Sequence, residues 1–420
     1  MSYRNRELAS LAVVALITGF GFASVYIARQ EVISRASLSY GVFFLCLYLV
    51  AHLVVRATVP QADPYLLALV GLLTAIGVTE IYRIDATDAL RQTIWIVVGV
   101  GAMAAVLLAF RRDYRRLESY KYVFAVSAVF LLVLPALPVI GRTVNGARLW
   151  VEIGPLGFQP GELAKVFLIV FLAAYLREKR EVLAQARLKD LGPLLLFFGV
   201  AMLVLVETND LGSALLYFGI FLAMLYTATG RTAFVVAGVA LFVAGSAGAY
   251  ATIGRVGERV ETWLDPFADP HGGGYQTVQG LYSVANGGFG GAGFGQGTFT
   301  SPSGDPYIPY LDTDFIFAAL AQELGLVGIA AFLLVFMVLC LRGFRVAILA
   351  EDGFSKLLAV GLTFGLALQT FIIVGGVLRL IPLTGITLPF VSYGGSSIVA
   401  NFVMLAGLLL ISNRAEDRAR

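Results

Sequence analysis

Two carboxylates, Asp312 and Asp314, head the apolar run DTDFIFAALAQELGLVG, in a chain that otherwise keeps charge away from its apolar segments. A carboxylate held where water meets lipid is a candidate general base: partial desolvation raises its pKa, while a helix N-terminus pulls it down. The competing reading is structural, with Asp312 and Thr313 capping a helix that starts near Asp314. A second constellation lies in GARLWVEIGPLGFQPGELAKVFLIVF. Pro160 suits a first helical turn, and Glu162 and Lys165, three apart, share one helix face. An ionisable pair at membrane depth is costly, and it marks either a functional site or an ion pair that holds helices together. Arg148, Arg255, Arg259 and Lys165 are the cations able to stabilise a developing negative charge on the same side of the membrane. In ETNDLGSALL, Asn209 or Asp210 is expected to cap the following helix. The stretch RLIPLTGITLPFVSYGGSSIVAN, with Ser392 and Ser396, combines prolines, glycines and hydroxyls just before the last apolar run. Irregular backbone at membrane depth is tolerated only when buried or lining a cavity, so this stretch is expected to fold back into the bundle near Arg379.

The elements that must position these residues are helices in lipid. Of 420 residues, 59% are hydrophobic and 14% charged, which excludes an ordinary soluble domain and fits an all-α polytopic membrane protein. A hydrocarbon core needs roughly 20 apolar residues per helical span. Twelve stretches qualify: 8–28, 38–56, 64–82, 93–110, 121–140, 161–176, 192–206, 212–229, 232–253, 314–341, 355–377 and 396–412. The first follows Arg4 and Arg6 without a small-residue cleavage site, so it is expected to be a retained anchor. With both termini in the cytoplasm, twenty of the thirty basic residues fall on the inner side and nine on the outer, with Lys165 inside a span. RRDYRR and REKREVLAQARLKD carry most of that asymmetry, so the net charge of +3 is no sign of nucleic-acid binding.

Three outer segments then stand out, 141–162, 254–313 and 378–395. The second is too long for a simple connection. Its start, IGRVGERVETWLDPF, aligns Val256, Val260, Trp263 and Leu264 on one stripe, so a helix is expected to rest in the headgroup layer with its arginines near lipid phosphates. Its middle holds eleven glycines between 272 and 297. It reads either as a backbone cradle for a phosphate or as a flexible return to the membrane, and it lacks the strand and GK[ST] of a nucleotide loop. Cys46 and Cys340 lie inside spans with no CxxC spacing, and His52 and His271 are isolated, so they suggest neither a disulfide framework nor a metal site.

FQPGELAKVFL, the DLG at 210–212, ERVETWLDPFADPHGGGYQTVQGLYSVANGGFGGAGFGQG, DTDFIFAALAQELGLVG and PLTGITLPFVSYGGSS together resemble the SEDS family (shape, elongation, division and sporulation), whose members include RodA and FtsW. The likeness covers roughly 64–412, and RLIPLTG leans toward RodA. Gly161 stands where the family more often has serine. The resemblance implies a ten-helix core over 61–420 preceded by a two-helix extension, 1–60. It also implies a bacterial plasma-membrane peptidoglycan glycosyltransferase that polymerises lipid II on the outer face and works with a class B penicillin-binding transpeptidase in cell elongation or division. Asp314 is then the essential aspartate, and Gln159, Glu162, Lys165, Arg148, Arg255, Arg259, Asp210, Ser392 and Ser396 are candidate substrate contacts. Joining lipid-linked sugars needs a base for the attacking hydroxyl and positive charge for the departing diphosphate. A divalent cation, Mg²⁺ or Mn²⁺, held by Asp314 or Glu162 is an alternative carrier of that charge, although each motif shows only one metal-capable carboxylate. The lipid tails are expected in a groove bordered by the sixth and tenth spans. Lipid II translocation is the alternative function and a non-catalytic scaffold a third, which leaves Glu162, Lys165 and Asp314 unexplained.

Overall fold

The computed structural model describes residues 3–28, 35–137, 140–144, 147–153, 156–184, 188–300 and 306–418. Helices α1 (Tyr3–Ala28) and α2 (Arg35–Thr58) precede α3 (Leu66–Ile84), α4 (Ala86–Phe110), the short α5 (Arg116–Ser119) and α6 (Lys121–Val133). A small antiparallel sheet follows in the order β1 (Gly141–Val144), β2 (Ala147–Ile153), β3 (Leu156–Phe158). Then come α7 (Pro160–Glu178), α8 (Arg180–Ala184), α9 (Leu188–Glu207), α10 (Leu211–Thr229), α11 (Thr232–Thr252), α12 (Gly254–Leu264), α13 (Tyr275–Gly287), α14 (Ile316–Leu349), α15 (Gly353–Val377) and α16 (Gly395–Arg418).

Each expected span overlaps one helix, although the fifth, 121–140, is α-helical only as far as Val133. Eight of these helices are long and apolar enough to cross a membrane by length and composition, α2, α6 and α9 have shorter apolar stretches, and α7 carries Glu162 and Lys165. The sheet departs from an all-helical chain, and its strands are too short to leave a periodic signature. Helix starts follow their caps: Asp85 accepts from the Thr87 and Asp88 amides at α4, Asp210 from Ser213 at α10, Asp352 from Ser355 at α15, and Pro160 opens α7.

Helices α3, α15 and α16 are mostly buried, whereas no residue of α11 is. A Cβ on Gly77 would stand 2.4 Å from the Val391 carbonyl oxygen, so α3 touches the irregular 378–394 segment only because a side chain is missing there. That segment is folded into the bundle, with Leu388, Phe390 and Val391 buried, as the sequence led us to expect.

The 288–297 part of the glycine-rich segment has a role that its composition does not announce, while Gly273 at its start lines the cavity described below. Helix α14 breaks at Gly325, where φ is 64° and ψ −174°. The amides after the break donate to this segment, Leu326 to the Gly288 carbonyl (3.0 Å) and Val327 to that of Phe289 (3.2 Å). The carbonyls before it accept in return, Gln322 from the Ala292 amide (2.9 Å) and Glu323 from that of Gly293 (3.0 Å). The Glu323 carboxylate takes the amides of Gly295 (2.6 Å) and Gly297 (3.0 Å), and Arg83 donates to the carbonyls of the same two glycines (2.9 and 2.8 Å). The loop therefore satisfies the groups of a broken helix, which apolar surroundings would leave unpaired. Charge is also less rare inside the helices than the sequence suggested, since Glu7, Glu80 and Glu323 are all buried. Near the start of α1, buried Glu7 pairs with Arg4 and lies 2.6 Å from His52 Nδ1 on α2, and Arg4 also donates to the Ala62 carbonyl. His52, isolated in sequence, thus helps to seat the first helix pair, while Cys46 and Cys340 are free thiols.

Candidate active site

The three segments singled out by the sequence meet around one cavity of about 810 Å³. Its walls come from the start of α4 (Asp88, Trp95), β2 (Trp150), the start of α7 (Gln159, Glu162), the cap of α10 (Asp210), α12 (Arg255, Arg259), the turn before α14 (Asp312, Asp314) and the 376–397 segment (Thr384, Tyr393, Ser396). Among the described residues, the non-glycine positions with positive φ, Asn209 (59°), Tyr310 (57°), Arg379 (59°) and Phe390 (66°), all lie in connections at this end of the bundle. Such conformations persist only where the surroundings enforce them, and they concentrate at working sites.

Asp314 sits in a turn fastened from several directions. The Ser392 hydroxyl donates to the Thr313 carbonyl (2.6 Å), the Tyr393 amide donates to the Asp312 carbonyl (2.9 Å), and the Thr313 hydroxyl turns back to the Tyr310 carbonyl (3.0 Å). The helix begins at Ile316 behind an N-cap, Phe315, with no side-chain cap, so neither Asp312 nor Thr313 takes the capping role. Gly385, with φ 73°, brings backbone so near that a Cβ there would stand 3.5 Å from Asp314 Oδ2. Burial pushes this carboxyl up to about 6, with Arg259 pulling it down and Asp312 adding to the rise. Burial likewise raises Asp312 to about 6, and Asp88 and Asp85 add to it.

Helix α12 is amphipathic as expected, and its arginines line the cavity. Arg255 and Arg259, one turn apart, are partly buried and point into the cavity, and the Arg259 guanidinium interacts with both Asp210 and Asp314. Burial, then Arg255, lowers the Arg259 pKa, and the two carboxylates oppose this. The helix end is locked by a reciprocal pair: Trp263 Nε1 donates to the Arg379 carbonyl (3.1 Å) and Arg379 Nε to that of Trp263 (2.7 Å).

The other sequence candidates take two kinds of place. Gln159, Glu162, Asp210 and Ser396 line the cavity, and Ser396 Oγ accepts the Gln159 amide (2.8 Å). Lys165 lies behind Glu162: its ammonium donates to Glu162 (2.8 Å) and Gln369 (2.7 Å), and Gln369 passes the chain on to the Thr387 carbonyl (2.9 Å). Ser392 positions the turn from beneath. Arg148 is outside the lining, its guanidinium donating to the Leu137 carbonyl (3.3 Å) and its amide to that of Thr208 (3.1 Å), so it fastens the sheet to the ends of α6 and α9. Helix α15 packs against both α7 and α14, the two spans expected to border the lipid groove. Asp88, Trp95, Gln369 and Tyr393 were not named beforehand. Only Tyr393 had a signal, its place in VSYGGSS. Among the described residues, no three His, Cys, Asp or Glu side chains converge into a metal-binding group.

The FtsW/RodA/SpoVE family model, described as cell cycle protein, matches residues 59–417. The peptidoglycan glycosyltransferase RodA of Mycobacterium tuberculosis is 42% identical over 99% of this chain and 92% of its own length. Stage V sporulation protein E of Bacillus subtilis is 35% identical over 84% of this chain and 97% of its own. A solved structure described as the structural coordination of polymerization and crosslinking by a peptidoglycan synthase complex superposes with a TM-score of 0.70 at 28% identity, covering 84% of this chain and 98% of that one. The crystal structure of the Thermus thermophilus rod shape determining protein RodA gives 0.62 at 28% identity, covering 86% and 98%. The chain belongs to the FtsW/RodA/SpoVE family, the SEDS proteins that its motifs resemble.

Proposed function

We propose that the chain is a peptidoglycan glycosyltransferase that polymerises lipid II into glycan strands at the outer face of the bacterial plasma membrane and releases undecaprenyl diphosphate. The observation that carries this reading is Asp314, a carboxyl raised to about 6 inside a large cavity and within electrostatic reach of Arg259. A carboxylate with that pKa is ionised at neutral pH yet basic enough to take a proton. The acceptor sugar hydroxyl gives its proton to Asp314 as its oxygen bonds to the donor's anomeric carbon, and the bond from that carbon to the diphosphate breaks. The charge that develops on the diphosphate is met by Arg255 and Arg259. Glu162 and Lys165 brace the wall beneath, and Asp210 holds the start of α10 beside them. Both termini are cytoplasmic in this reading, and residues 1–60 are an extension docked on the core.

The peptidoglycan synthase complex among the similar structures supports a crosslinking partner, which we take to be a class B penicillin-binding transpeptidase, and the RodA names favour elongation and cell shape. Relatives named as glycosyltransferases weigh against the lipid II translocation reading. The test is the purified protein in liposomes with labelled lipid II: glycan polymer with release of undecaprenyl diphosphate is expected. Label crossing the bilayer without polymer would move the protein to the transporter class.

A further inference from the structure

The cavity walls differ in chemistry on the two sides of Asp314. Its attractive electrostatic neighbour is Arg259, which with Arg255 belongs to α12, and its repelling neighbour is Asp312. Beyond Asp312 lies a group of different character. The Tyr393 amide donates to the Asp312 carbonyl (2.9 Å), the Tyr393 phenol is shared electrostatically among Asp88, Arg91 and Asp312, and Asp88 pairs with Arg91 at 2.9 Å. Trp95, one helix face along from Asp88 and Arg91, also lines the cavity, and it lies so close to the 394–397 turn that a Cβ on Gly395 would stand 2.3 Å from its indole. The lining cations Arg255, Arg259 and Arg379 all belong to α12 or to the segment locked to it, where they outnumber the carboxylates of Glu258 and Asp210, whereas the Asp88 and Asp312 side adds carboxylates and no cation to the lining, so a diphosphate is drawn to the arginine side. A neutral saccharide is recognised by the opposite kind of surface, with aromatic faces against its C–H groups and carboxylates or a phenol accepting from its hydroxyls.

Resting on the polymerase reading, we propose that the wall formed by Asp88, Trp95, Asp312 and Tyr393 is the subsite for the acceptor saccharide, and that the Arg255–Arg259 wall takes the donor's diphosphate. Asp314, between them, then faces the acceptor hydroxyl from one side and the donor's anomeric carbon from the other. Asp312 and Tyr393 are specificity residues that touch the acceptor, and no further covalent step is attributed to them.

The experiment separates the two substrates. The donor is lipid II whose attacking hydroxyl is capped, so it can give but not receive. The acceptor is a labelled lipid II analogue whose diphosphate is replaced by a non-leaving ether, so it can receive but not give. Formation of the single coupled product is followed against each in turn. Asp312→Asn and Tyr393→Phe are expected to raise the half-saturating acceptor concentration about tenfold, the loss of roughly one hydrogen bond, and to leave that of the donor within about twofold. Arg259→Gln is expected to do the reverse. Binding of undecaprenyl diphosphate alone reports whether the Asp312 and Tyr393 variants are folded, and it should survive in both; thermal unfolding in detergent reports the same for Arg259→Gln. Equal effects on both substrates, or no effect on the acceptor, would overturn the assignment. Wild-type protein that couples nothing would instead overturn the polymerase reading itself.

Discussion

In the proposed reaction Asp314 is the base, and burial and Arg259 act on its carboxyl in opposite senses, with burial prevailing. The same balance has a consequence for stability. A group that holds its proton more tightly when folded than when unfolded favours the folded state at low pH, and that contribution is lost as pH rises from the ordinary carboxylate range through about 6. We therefore expect Asp314→Asn to melt no lower than wild type at pH 7.5, and higher if anything, with the difference closing near pH 4, as read by thermal unfolding in detergent. Lys165 gives the opposite result. Its ammonium is buried against Glu162 and Gln369, so Lys165→Met leaves a half-buried carboxylate without its cation and should lower stability by about 3 kcal/mol, whereas Glu162→Gln combined with Lys165→Met recovers part of that loss. A double-mutant cycle from chemical unfolding checks this, and strict additivity would contradict it. At this scale the sequence was informative: Asp314, Glu162, Arg255 and Arg259 stand out because charge is rare in apolar surroundings. The capping reading of Asp312 and Thr313 failed because the helix starts two residues later than the hydropathy suggests, and the irregular turn from Tyr310 leaves no local trace.

Among the elements, the break in α14 depends most on residues far away in sequence. Gly325 turns the chain with φ 64°, and the 288–297 segment supplies the bonds that the helix gives up. Gly325→Ala forces a side chain into a left-handed conformation, with backbone of Gly291 2.1 Å from the position of its Cβ. It should weaken that pairing, raise amide hydrogen exchange over 288–297 by about tenfold, and reduce polymerisation by displacing the turn that holds Asp314. Unchanged exchange would show that the loop is held by other means. The glycine count was visible in sequence, but its purpose was not, because a loop that completes another element's hydrogen bonds is defined by its partner. The apolar stripe of α12 was likewise legible, while the direction of its arginines depends on the Trp263–Arg379 lock, which joins residues more than a hundred positions apart.

For the molecule as a whole, hydropathy was enough to locate the long apolar helices and to mark the three unusual connections between them. The convergence of those connections on a single cavity, and the packing of α15 against both α7 and α14, are tertiary facts that no single segment encodes. Topology can be tested directly. In a background with Cys46 and Cys340 replaced, His271→Cys should react with a membrane-impermeant maleimide added to intact cells and Asp113→Cys should not, and the reverse pattern would place the cavity on the wrong side for the proposed reaction. The central claim is that Asp314 is the base, and the pH–rate profile of lipid II polymerisation tests it most directly. Wild-type protein should lose rate as pH falls through about 6, and Asp314→Asn should be slower by about 10² to 10⁴ and show no such inflection. A folded Asp314→Asn variant that polymerises at the wild-type rate with the same profile would contradict the account.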